Sequence, residues 1–577
     1  GERRTFRFDP ARPLETGAWR SDERFRLTLP RLTLTSDGDR AVICNRPDGE
    51  EPSQPLAQTI GAAAAALDLQ FTHIPVVSGK ITDEDVSAME AALTAMAGPV
   101  LAYCRTGTRS ANLWALSAAK DRNPDQILEI GRSAGYDLGS LRNRIITRHS
   151  SGRNGSRKRV AYQVVVVGGG AAGIATASSL LSRRSDLKIA IVDPAEYHYY
   201  QPGWTLVGRG VFSADETKRR MADVMPRGVT WVQKAAVGFA PDKNAVVLED
   251  GSRLQYDALV VAPGLKLDWG AINGLEETLG KNGVTSNYRY DLAPYTWELV
   301  QNLKRGRALF TQPPMPIKCA GAPQKAMYLS CDEWQRQGKL RDLKVEFHNT
   351  GAVLFGVPTY VPPLMEYVER YGIDLRFESK LVAVDGSSRI ATFERKGPDG
   401  QTELVEERFD MLHVCPPQTA PDFVRESPLA AASGWVDVDQ YTLQHTRYPN
   451  VFSLGDVCSA PNAKTAAAVR KQSPVVAVNV LNVLNGQAPS AGYDGYGSCP
   501  LTVEKGKVIL AEFGYGGKLL PSFPQWLVNG AKPSRLSWLL KEKMLPPIYW
   551  KGMLKGREWL AHPRKAEEVR PKAAAGV

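Results

Sequence analysis

The chain has 577 residues, of which 43% are hydrophobic and 23% charged, and its mean hydropathy is −0.27. This length predicts roughly three or four domains, and the composition excludes both a disordered chain and a polytopic membrane protein, because no uninterrupted apolar run reaches about 18 residues. The net charge of +11 fits a basic surface or an anionic membrane. Without a nucleic-acid-binding signature, we expect no nucleic-acid partner. Seven scattered cysteines exclude a disulfide scaffold and paired zinc sites, so no metal is expected.

The N-terminal part of the chain predicts an α/β domain over residues 31–148. Residues 41–44 and 99–104 have the apolar pattern of short buried strands, and residues 83–97 and 110–120 have apolar residues at helical spacing. Residues 1–30 carry no pattern that predicts structure. The charged residues at the start do not resemble a secretory signal, which predicts a cytoplasmic location.

The strand at 99–104 leads into a loop that is expected to bind an anion. Backbone N–H groups of residues 105–110 and the start of the next helix would converge on Cys104, and Arg109 would join them if its side chain folds over the loop. Cys104 and Arg109 have four residues between them, as in single-domain rhodaneses, whereas tyrosine phosphatases have five. With residues 42–50, this loop resembles the phosphatase-like domain that accompanies beta-lactamase-like hydrolases in bacteria.

Three roles of this domain stay open at the level of sequence. The spacing favours a sulfurtransferase-like carrier of sulfane sulfur as a persulfide on Cys104. A phosphatase, with Asp83 and Asp85 as candidate general acids, and an inactive docking domain are the alternatives.

A polar, basic linker at 149–160 separates this domain from a dinucleotide-binding motif. After an apolar strand at 163–167, Gly168 permits a tight turn, Gly170 lets the backbone approach a pyrophosphate, and Gly173 allows close packing of helix on strand. Asp193 ends the next strand, where an acidic side chain can accept ribose hydroxyls. The strand, turn and helix order predicts a dinucleotide site.

Two later segments resemble the downstream signatures of flavoproteins with two dinucleotide-binding domains. They are residues 260–264, which contain Gly264, and residues 451–456, which contain Gly455 and Asp456. The resemblance implies that FAD is the cofactor and that Asp456 approaches its ribityl chain.

We therefore expect a doubly wound tandem Rossmann arrangement with a discontinuous FAD-binding domain. Its parts span 161–290 and 419–515, and a second Rossmann-like domain is inserted at 291–418. Strand-like runs at 188–192, 258–261 and 344–347 fit this α/β layout.

The inserted domain has no second G-x-G-x-x-G fingerprint at its first strand-to-helix turn. Prolines occupy that place, and Cys319 follows them, flanked by Lys318 and Lys325 in front of a helical segment. Such an electropositive setting lowers a thiol pKa, so the sequence predicts a thiolate here rather than a nicotinamide site.

At this point the sequence resembles the sulfide:quinone oxidoreductase family, particularly the mitochondrial and proteobacterial type. The resemblance is carried by residues 201–208, 318–325, 464–469 and 493–500. It implies that Cys319 and Cys499 form the redox pair, that sulfide attack leaves a persulfide on Cys499 and a thiolate on Cys319, and that Lys464 belongs to the cofactor site. Hydrogen sulfide, a membrane quinone and a sulfur acceptor such as glutathione or sulfite are the implied partners.

The residues alone leave other cysteine pairings open. Cys458 is the main rival partner, and Cys44, Cys331 and Cys415 have the context of packing residues.

The C-terminal segment, residues 516–577, alternates aromatic and aliphatic residues with lysine and arginine. This pattern is typical of an amphipathic interfacial helix, and the alternative is a hairpin packed on the core. The family resemblance favours peripheral, monotopic attachment, expected at the cytoplasmic face of an inner membrane, with quinone arriving through lipid. Whether the chain forms a homo-oligomer is left open.

The sequence thus predicts a bacterial fusion of a sulfurtransferase-like domain with an FAD-dependent sulfide:quinone oxidoreductase. One alternative is an NAD(P)H-dependent disulfide or polysulfide reductase. Another is a phosphatase-like signalling module tethered to a redox-sensing flavin domain.

Overall fold

The computed structural model describes residues 6–8, 41–52, 54–66, 68–96, 100–120, 122–152, 160–397 and 400–571. Its contacts divide the chain into a first unit of Gly1–Arg159 with Val247–Arg253 and a second unit of Val160–Val246 with Leu254–Val577. Each unit is described by itself. Most of the segment 1–30 and most of the predicted linker, residues 153–159, lie outside the described residues.

The first unit is built on a four-stranded sheet in which three neighbouring strands are parallel. The sheet order is Phe6–Phe8, Val100–Tyr103, Ala41–Cys44 and Gln70–His73. The strand Phe6–Phe8 pairs antiparallel with Val100–Tyr103, although the sequence around it carries no strand pattern. The helices are Ala57–Ala65, Asp83–Ala95, Thr108–Ala118, Pro124–Ser133 and Arg142–Gly152.

The core of the first unit forms because the parallel strands Ala41–Cys44 and Val100–Tyr103 are apolar and the helix Thr108–Ala118 contributes buried apolar residues to the same cluster. Ala41 to Cys44 are almost fully buried, as are Leu113, Trp114 and Leu116 of the helix Thr108–Ala118. A parallel strand covered on both faces is expected to read as a continuous apolar run, as these strands do.

The second unit contains two doubly wound sheets. The first sheet has seven strands and follows the order Ala236–Ala240, Ala245–Leu248, Arg253–Val261, Val160–Val167, Ile189–Val192 and Val229–Val232, with Val451–Ser453 also paired to Arg253–Val261. Its strands Val160–Val167, Ile189–Val192 and Val229–Val232 are parallel neighbours. The strands predicted at 163–167, 188–192 and 258–261 all lie in this sheet.

The second sheet of this unit is parallel throughout. Its order is Val284–Thr285, Met411–His413, Gly306–Gln312, Leu343–Asn349 and Asp374–Arg376. Its first edge strand precedes residue 291, where the sequence places the start of the inserted domain. An antiparallel sheet of Ser379–Asp385, Ile390–Lys396 and Thr402–Arg408 follows in the chain.

A hairpin from the later part of the chain joins the core of the second sheet. Its strands Gly497–Glu504 and Lys507–Phe513 pair antiparallel, and Cys499, Leu501 and Ile509 share one apolar core with Phe310 and Trp334. This packing brings residue 499 to the helix Ala322–Arg336, 170 or so positions earlier in the chain. The hairpin therefore packs on the inserted domain, although the sequence groups it with the FAD-binding domain.

The remaining elements of the second unit are short strands and helices. The paired short strands are Tyr197–Tyr199 with Lys218–Arg220, Lys266–Leu267 with Gln418–Thr419, and Ala491–Gly492 with Arg564–Lys565. The α-helices are Ala171–Arg183, Trp204–Val207, Met221–Val224, Ala293–Asn302, Ala322–Arg336, Val361–Tyr371, Asp422–Arg425, Ala466–Leu484, Arg535–Leu539, Leu545–Pro547 and Ala566–Val569. Wide π-turns Leu540–Met544 and Ile548–Gly552 interrupt the last helices.

The C-terminal segment divides into buried and exposed side chains. Tyr549 hydrogen-bonds the buried His198 at 2.6 Å, and the Leu554 carbonyl accepts from Ser178 at 2.8 Å. Trp526 and Trp559, by contrast, are 84% and 64% exposed. Among the described residues, none of the helices has the length and apolar character needed to span a bilayer.

Candidate active site

The glycine turn between Val160–Val167 and Ala171–Arg183 has a geometry that only glycine permits. Gly168 has φ +108°, and a Cβ there would lie 2.2 Å from the carbonyl oxygen of Ala262. A Cβ at Gly173 would lie 1.8 Å from the carbonyl oxygen of Gly168, whereas a Cβ at Gly170 would meet nothing within 4 Å. Gly168 and Gly173 thus close the turn, and Gly170 leaves open space at the helix N-terminus.

Asp193 lies beside this turn at the end of its strand. Its carboxylate accepts hydrogen bonds from the Gly169 N–H at 2.6 Å and the Ala195 N–H at 2.8 Å. Burial raises the pKa of Asp193, and the two N–H donors oppose that rise. The carboxylate is fixed at the position where the sequence predicts contact with ribose.

A cavity of about 490 Å³ runs from the glycine turn to the predicted cysteine site. Gly170, Asp193, Gly264, Asp456 and Cys319 all contribute to its wall. Gly264 has φ +76° and, like Gly170, has no atom within 4 Å of a Cβ position. An elongated cavity with glycine backbone at one end fits the FAD expected from the sequence.

Gly455, Asp456 and Lys464 form the second wall of this cavity. The Lys464 ammonium donates to the carbonyl oxygens of Asp456 at 2.6 Å and Cys458 at 3.0 Å. Burial raises the pKa of Asp456, while Lys464 and Lys318 lower it. The Lys464 carbonyl accepts the Cys319 N–H at 2.8 Å, so this segment also holds the cysteine segment in place.

Cys319 and Cys499 are brought together from positions 180 residues apart. Their sulfur atoms lie 3.8 Å from each other and are not bonded. The Lys325 ammonium lies 3.0 Å from the Cys319 sulfur and 4.0 Å from the Cys499 sulfur. The structure thus places all three side chains in one cluster, and their catalytic roles stay predictions.

The charge in this cluster lies on Cys319. A hydrogen bond from the Cys499 thiol and the charge of Lys325 hold the pKa of Cys319 well below that of an ordinary thiol, against the effect of burial. The same hydrogen bond and burial raise the pKa of Cys499 well above it. Because Lys325 is nearer to Cys319, Cys319 is the thiolate and Cys499 the thiol donor.

The backbone around the pair is adapted to this close approach. Cys319 has φ +48°, in the left-handed region that residues other than glycine rarely adopt. A Cβ at Gly321 would lie 2.6 Å from the Cys499 sulfur, so only glycine leaves room for that side chain. Strain at a reactive residue is typical of functional sites.

Lys541 is a member of the cluster that the sequence does not predict. It lies in the C-terminal segment, is only 4% exposed and contributes to the cavity wall. Burial and the charge of Lys325 lower the pKa of Lys541 to about 7, while Cys319 and Cys499 oppose that shift. Its only signal in the sequence is a lysine within an apolar stretch, which the interfacial pattern explains equally well.

The other cysteines of the second unit are buried and have different partners. The Cys458 thiol donates to the Gly455 carbonyl at 3.3 Å, so the rival pairing with Cys499 is not the one the structure adopts. Cys331 lies in the apolar core. Cys415 lies in a small buried group with Tyr288, and burial raises its pKa to about 12.

In the first unit, the loop after Val100–Tyr103 surrounds Cys104 with donors. Burial raises the pKa of Cys104, but the N–H groups of Ser110, Thr106 and Arg109 outweigh burial and lower it overall. Gly107 has φ +84° and begins the helix Thr108–Ala118. The loop thus has the N–H donors around Cys104 that the sequence predicts, and anion binding stays a prediction.

Arg109 lies at this loop with its guanidinium already engaged. It donates to the Glu50 carboxylate at 2.9 Å and to the Val76 carbonyl at 2.8 Å. Asp83 instead pairs with Arg148 at 3.0 Å, and Asp85 caps its own helix through Thr82. Both candidate general acids of a phosphatase, which lie on the helix Asp83–Ala95, therefore have structural partners.

Two family models match the chain. The model of the beta-lactamase hydrolase-like protein, phosphatase-like domain, matches residues 33–121. The model of the pyridine nucleotide-disulphide oxidoreductases matches residues 162–296. The two matches fall in the two units.

Individual relatives extend this likeness. The chain is 39% identical over 110 residues to a beta-lactamase hydrolase-like protein of Xylella fastidiosa, covering 19% of this chain and 26% of that protein. The fold resembles the X-ray structure of the sulfide:quinone oxidoreductase from Aquifex aeolicus, with a TM-score of 0.57, 21% identity, and coverage of 68% of this chain and 92% of that one.

The strongest evidence comes from a relative that the chain spans almost entirely. It is 41% identical over 439 residues to the mitochondrial sulfide:quinone oxidoreductase of Dictyostelium discoideum, covering 74% of this chain and 95% of that protein. The glycine turn and Asp193 lie within residues 162–296, which the model of the pyridine nucleotide-disulphide oxidoreductases matches. The chain therefore belongs to the sulfide:quinone oxidoreductase family, whose members are FAD-dependent oxidoreductases.

Proposed function

We propose that the second unit oxidises hydrogen sulfide to sulfane sulfur at Cys319 and Cys499 and delivers the electrons through FAD to a quinone. The observation that carries this proposal is the distance of 3.8 Å between the two sulfurs, with the Lys325 ammonium 3.0 Å from Cys319. Cys319 also contributes to the wall of the cavity that begins at the glycine turn. A thiol pair beside a dinucleotide site supports thiol-based electron transfer.

The proposed reaction starts with Cys319 and Cys499 joined as a disulfide, so that its atoms and electrons balance. Hydrosulfide attacks the Cys499 sulfur, the bond between the cysteines breaks, and Cys319 leaves as a thiolate that Lys325 stabilises. An acceptor thiolate or sulfite then takes the sulfane sulfur and leaves Cys499 as a thiolate. The two thiolates reform the disulfide and release two electrons.

The direction of this sequence rests on the unequal environments of the two sulfurs. Lys325 lowers the pKa of Cys319, which makes Cys319 the better leaving group. FAD, when bound, would supply the two-electron acceptor that connects the cysteine pair to a quinone. The residues fitted to hold it are Gly168, Gly170, Gly173 and Asp193 at one end and Gly264, Gly455, Asp456 and Lys464 along the cavity.

An NAD(P)H-dependent reductase is not favoured. The strand Gly306–Gln312 is followed by a proline-containing segment and Cys319, where a nicotinamide site needs a glycine-rich turn. Electrons therefore have no evident entry at the inserted domain from a nicotinamide.

We also propose that the C-terminal segment attaches the protein peripherally to a membrane. Trp526, Leu536 and Leu539 are exposed apolar side chains on this segment, and Lys543 is exposed near them. Aromatic, aliphatic and basic side chains together favour the interfacial region of a bilayer, where a quinone is dissolved. The cytoplasmic face of an inner membrane stays a prediction.

For the first unit we propose a carrier of sulfane sulfur on Cys104. The four-residue spacing to Arg109 and the N–H donors that lower the pKa of Cys104 support a thiolate able to hold a persulfide. The pairing of Arg109 with Glu50 places a carboxylate next to the loop, which disfavours a phosphate dianion. The structural partners of Asp83 and Asp85 also disfavour a phosphatase.

The test of the main proposal is a titration of the flavin absorbance in the purified holoenzyme. Sulfide is expected to bleach the flavin, and a water-soluble quinone is expected to restore it. NADH in a parallel sample is expected to leave it oxidised. Bleaching by NADH but not by sulfide would contradict the proposal.

A further inference from the structure

Glu512 is a carboxylate on the cavity wall that belongs neither to the cysteine cluster nor to the residues fitted to hold FAD. Three carboxylates contribute to that wall, Asp193, Asp456 and Glu512. The first two lie at the glycine turn and beside Lys464. Glu512 is only 5% exposed and lies on the strand Lys507–Phe513, where the sequence places a charged residue in an otherwise apolar run.

The hairpin that carries Glu512 presents different chemistry on its two faces. Cys499 pairs in register with Ala511, and both belong to the apolar core. Ser498 pairs with Glu512, and side chains alternate between the faces of a strand, so these two lie on the opposite face. Ser498 and Glu512 contribute to the cavity wall. One hairpin therefore carries the sulfur site on one face and a carboxylate on the other.

A chain of hydrogen bonds leads from Glu512 to the surface. The Tyr496 hydroxyl donates to Glu512 Oε1 at 2.6 Å, and the Ser522 hydroxyl lies 3.1 Å from the Tyr496 oxygen. The Ser522 N–H donates to Glu512 Oε2 at 3.1 Å, which fixes the carboxylate. Tyr496 and Glu512 are buried, whereas Ser522 is exposed. The hydroxyls can therefore relay protons from water to the carboxylate.

The cavity to which Glu512 contributes also has apolar side chains that suit an apolar ring. Phe523, Leu545, Ile548, Trp559 and Leu560 contribute to the wall together with Tyr496 and Ser522. All five apolar side chains belong to the last 60 residues of the chain, the region with exposed apolar side chains for which membrane attachment is proposed.

The charged groups that act on Glu512 lie on a neighbouring helix. Arg470 and Lys471 of the helix Ala466–Leu484 are cations that interact with it, and Asp494 acts on Lys471. The other charged residue on its own strand, Lys507, pairs with Glu504, and the Glu512 backbone contacts the Tyr360 hydroxyl. Burial and the negative charge of Glu512 raise the pKa of Tyr496, so the phenol keeps its proton and remains a donor.

We propose that Ser522, Tyr496 and Glu512 form the proton path that serves quinone reduction in the cavity, an inference that rests on the proposed function. A quinone takes up two electrons and two protons. As electrons arrive, the Tyr496 hydroxyl gives its proton to Glu512 Oε1 while the Ser522 hydroxyl gives its proton to Tyr496, and solvent returns a proton to Ser522. The proton taken up by Glu512 then passes to a quinone oxygen, which restores the carboxylate. The second proton follows by the same path.

The test compares Glu512→Gln and Tyr496→Phe with the parent holoenzyme in stopped-flow measurements of each half-reaction. Both substitutions keep the side-chain shape and remove proton exchange at one position. Reduction of the flavin by sulfide is expected to stay within about twofold, since Cys319 and Cys499 are unchanged. Reoxidation by a water-soluble quinone is expected to slow about tenfold or more, which is the low end of the contribution of a positioned proton donor.

Two further readouts separate proton transfer from a structural role. Infrared difference spectra of quinone-dependent reoxidation are expected to lose a carboxylic C=O band in Glu512→Gln, and the affinity for quinone, from flavin fluorescence, is expected to be kept. Glu504→Gln is the matched control, because Glu504 lies on the same hairpin and pairs with Arg370 and Lys507 at the surface.

Each contrary outcome has a distinct meaning. Unchanged reoxidation in Glu512→Gln overturns the proton path. Equal loss of both half-reactions, with weaker quinone binding or a lower melting temperature, overturns it in favour of a structural role. A parent enzyme that quinone fails to reoxidise overturns the proposed function itself.

Discussion

At Cys319, backbone strain and charge stabilisation act on one residue. Its left-handed backbone directs the sulfur to 3.0 Å from Lys325, which is 3% exposed and remains charged because the thiolate raises its pKa against burial. A buried ion pair of this kind contributes little to folding stability, since desolvation of both partners offsets their attraction. Its value lies in holding one sulfur of the pair as a thiolate.

Replacing either Cys319 or Cys499 by serine is expected to stop sulfide-dependent reduction of the flavin. The loss should exceed about 10³-fold, because removal of a covalent nucleophile costs at least that order. FAD should remain bound, since neither residue belongs to the glycine turn, and the absorbance of the purified variants measures both properties. Cys458→Ser is the control and should retain activity, because its thiol contacts the Gly455 carbonyl. Full bleaching by sulfide in either active-site variant would remove the pair from the mechanism.

Lys541 predicts a pH dependence that can be tested at the Cys319 sulfur. Its pKa is lowered to about 7, so below that pH it is a cation that stabilises the thiolate, and above it Lys541 is neutral. In Lys541→Met, iodoacetamide labelling of Cys319 in the reduced holoenzyme, measured by peptide mass spectrometry, should be slower than in the parent well below pH 7 and should match it well above pH 7.

Lys543→Met is the matched control for this experiment. Lys543 lies two residues after Lys541 in the chain, and its side chain is 65% exposed. Its loss should leave the labelling rate unchanged throughout the pH range. A constant ratio of Lys541→Met to parent at every pH would contradict titration of Lys541 in this range.

The elements of the fold differ in how far the sequence predicts them. The strands Val160–Val167 and Ile189–Val192 are predictable because parallel strands buried on both faces read as apolar runs. The glycine turn is predictable because one short segment requires the absence of a side chain at Gly168 and Gly173. The strand Phe6–Phe8 is not, since a three-residue edge strand is stabilised by its partner Val100–Tyr103 and leaves no periodicity in the sequence.

In the candidate site, too, features that depend on sequence neighbours are predictable, whereas features that depend on packing between distant parts of the chain are not. The electropositive setting of Cys319 follows from its neighbours, whereas its pairing with Cys499 rests in the sequence on family resemblance alone. The structure gives a physical reason, because the hairpin of residues 497–513 buries Leu501 and Ile509 against the inserted domain. Lys541 and Glu512 depend on such distant packing and have only weak local signals.

In the C-terminal segment some side chains are packed on the core and others are exposed, and attachment to a membrane through the exposed ones stays a proposal. Tyr549 and Leu554 pack on the FAD-binding part, so truncating the segment would also remove Lys541 from the active site. Trp526, Leu536 and Leu539 are exposed and do not contribute to the cavity wall. A selective test therefore changes only these exposed side chains.

Replacing Trp526, Leu536 and Leu539 together by glutamine is expected to weaken binding to liposomes at least about tenfold. The reason is that moving each apolar side chain from water into the membrane interface is favourable. Co-sedimentation with anionic vesicles measures this change. Sulfide-dependent flavin reduction should be retained, while turnover with long-chain quinones falls. Leu404→Gln, at a 69% exposed leucine on the antiparallel sheet, is the control and should leave partitioning unchanged. Unchanged partitioning of the triple variant would contradict membrane attachment through these three side chains.

For the whole molecule, the carrier role proposed for Cys104 would give the fusion of the two units a chemical reason. A persulfide formed at Cys499 is reactive, and a tethered acceptor experiences it at a raised effective concentration whatever its intrinsic affinity. The two units match different families and have separate cores. Each activity should therefore be separable by a single substitution.

Cys104→Ser is expected to leave sulfide:quinone turnover of the full chain within about twofold and to abolish sulfur transfer from a persulfide donor, because the substitution removes only the thiolate of the first unit. Mass spectrometry of the Cys104 peptide after incubation of the full chain with glutathione persulfide should detect one added sulfur in the parent. Cys44→Ser is the control, since burial raises the pKa of that thiol and disfavours a reactive thiolate. Hydrolysis of a phosphotyrosine analogue that depends on Cys104, with no added sulfur on it, would instead identify the first unit as a phosphatase.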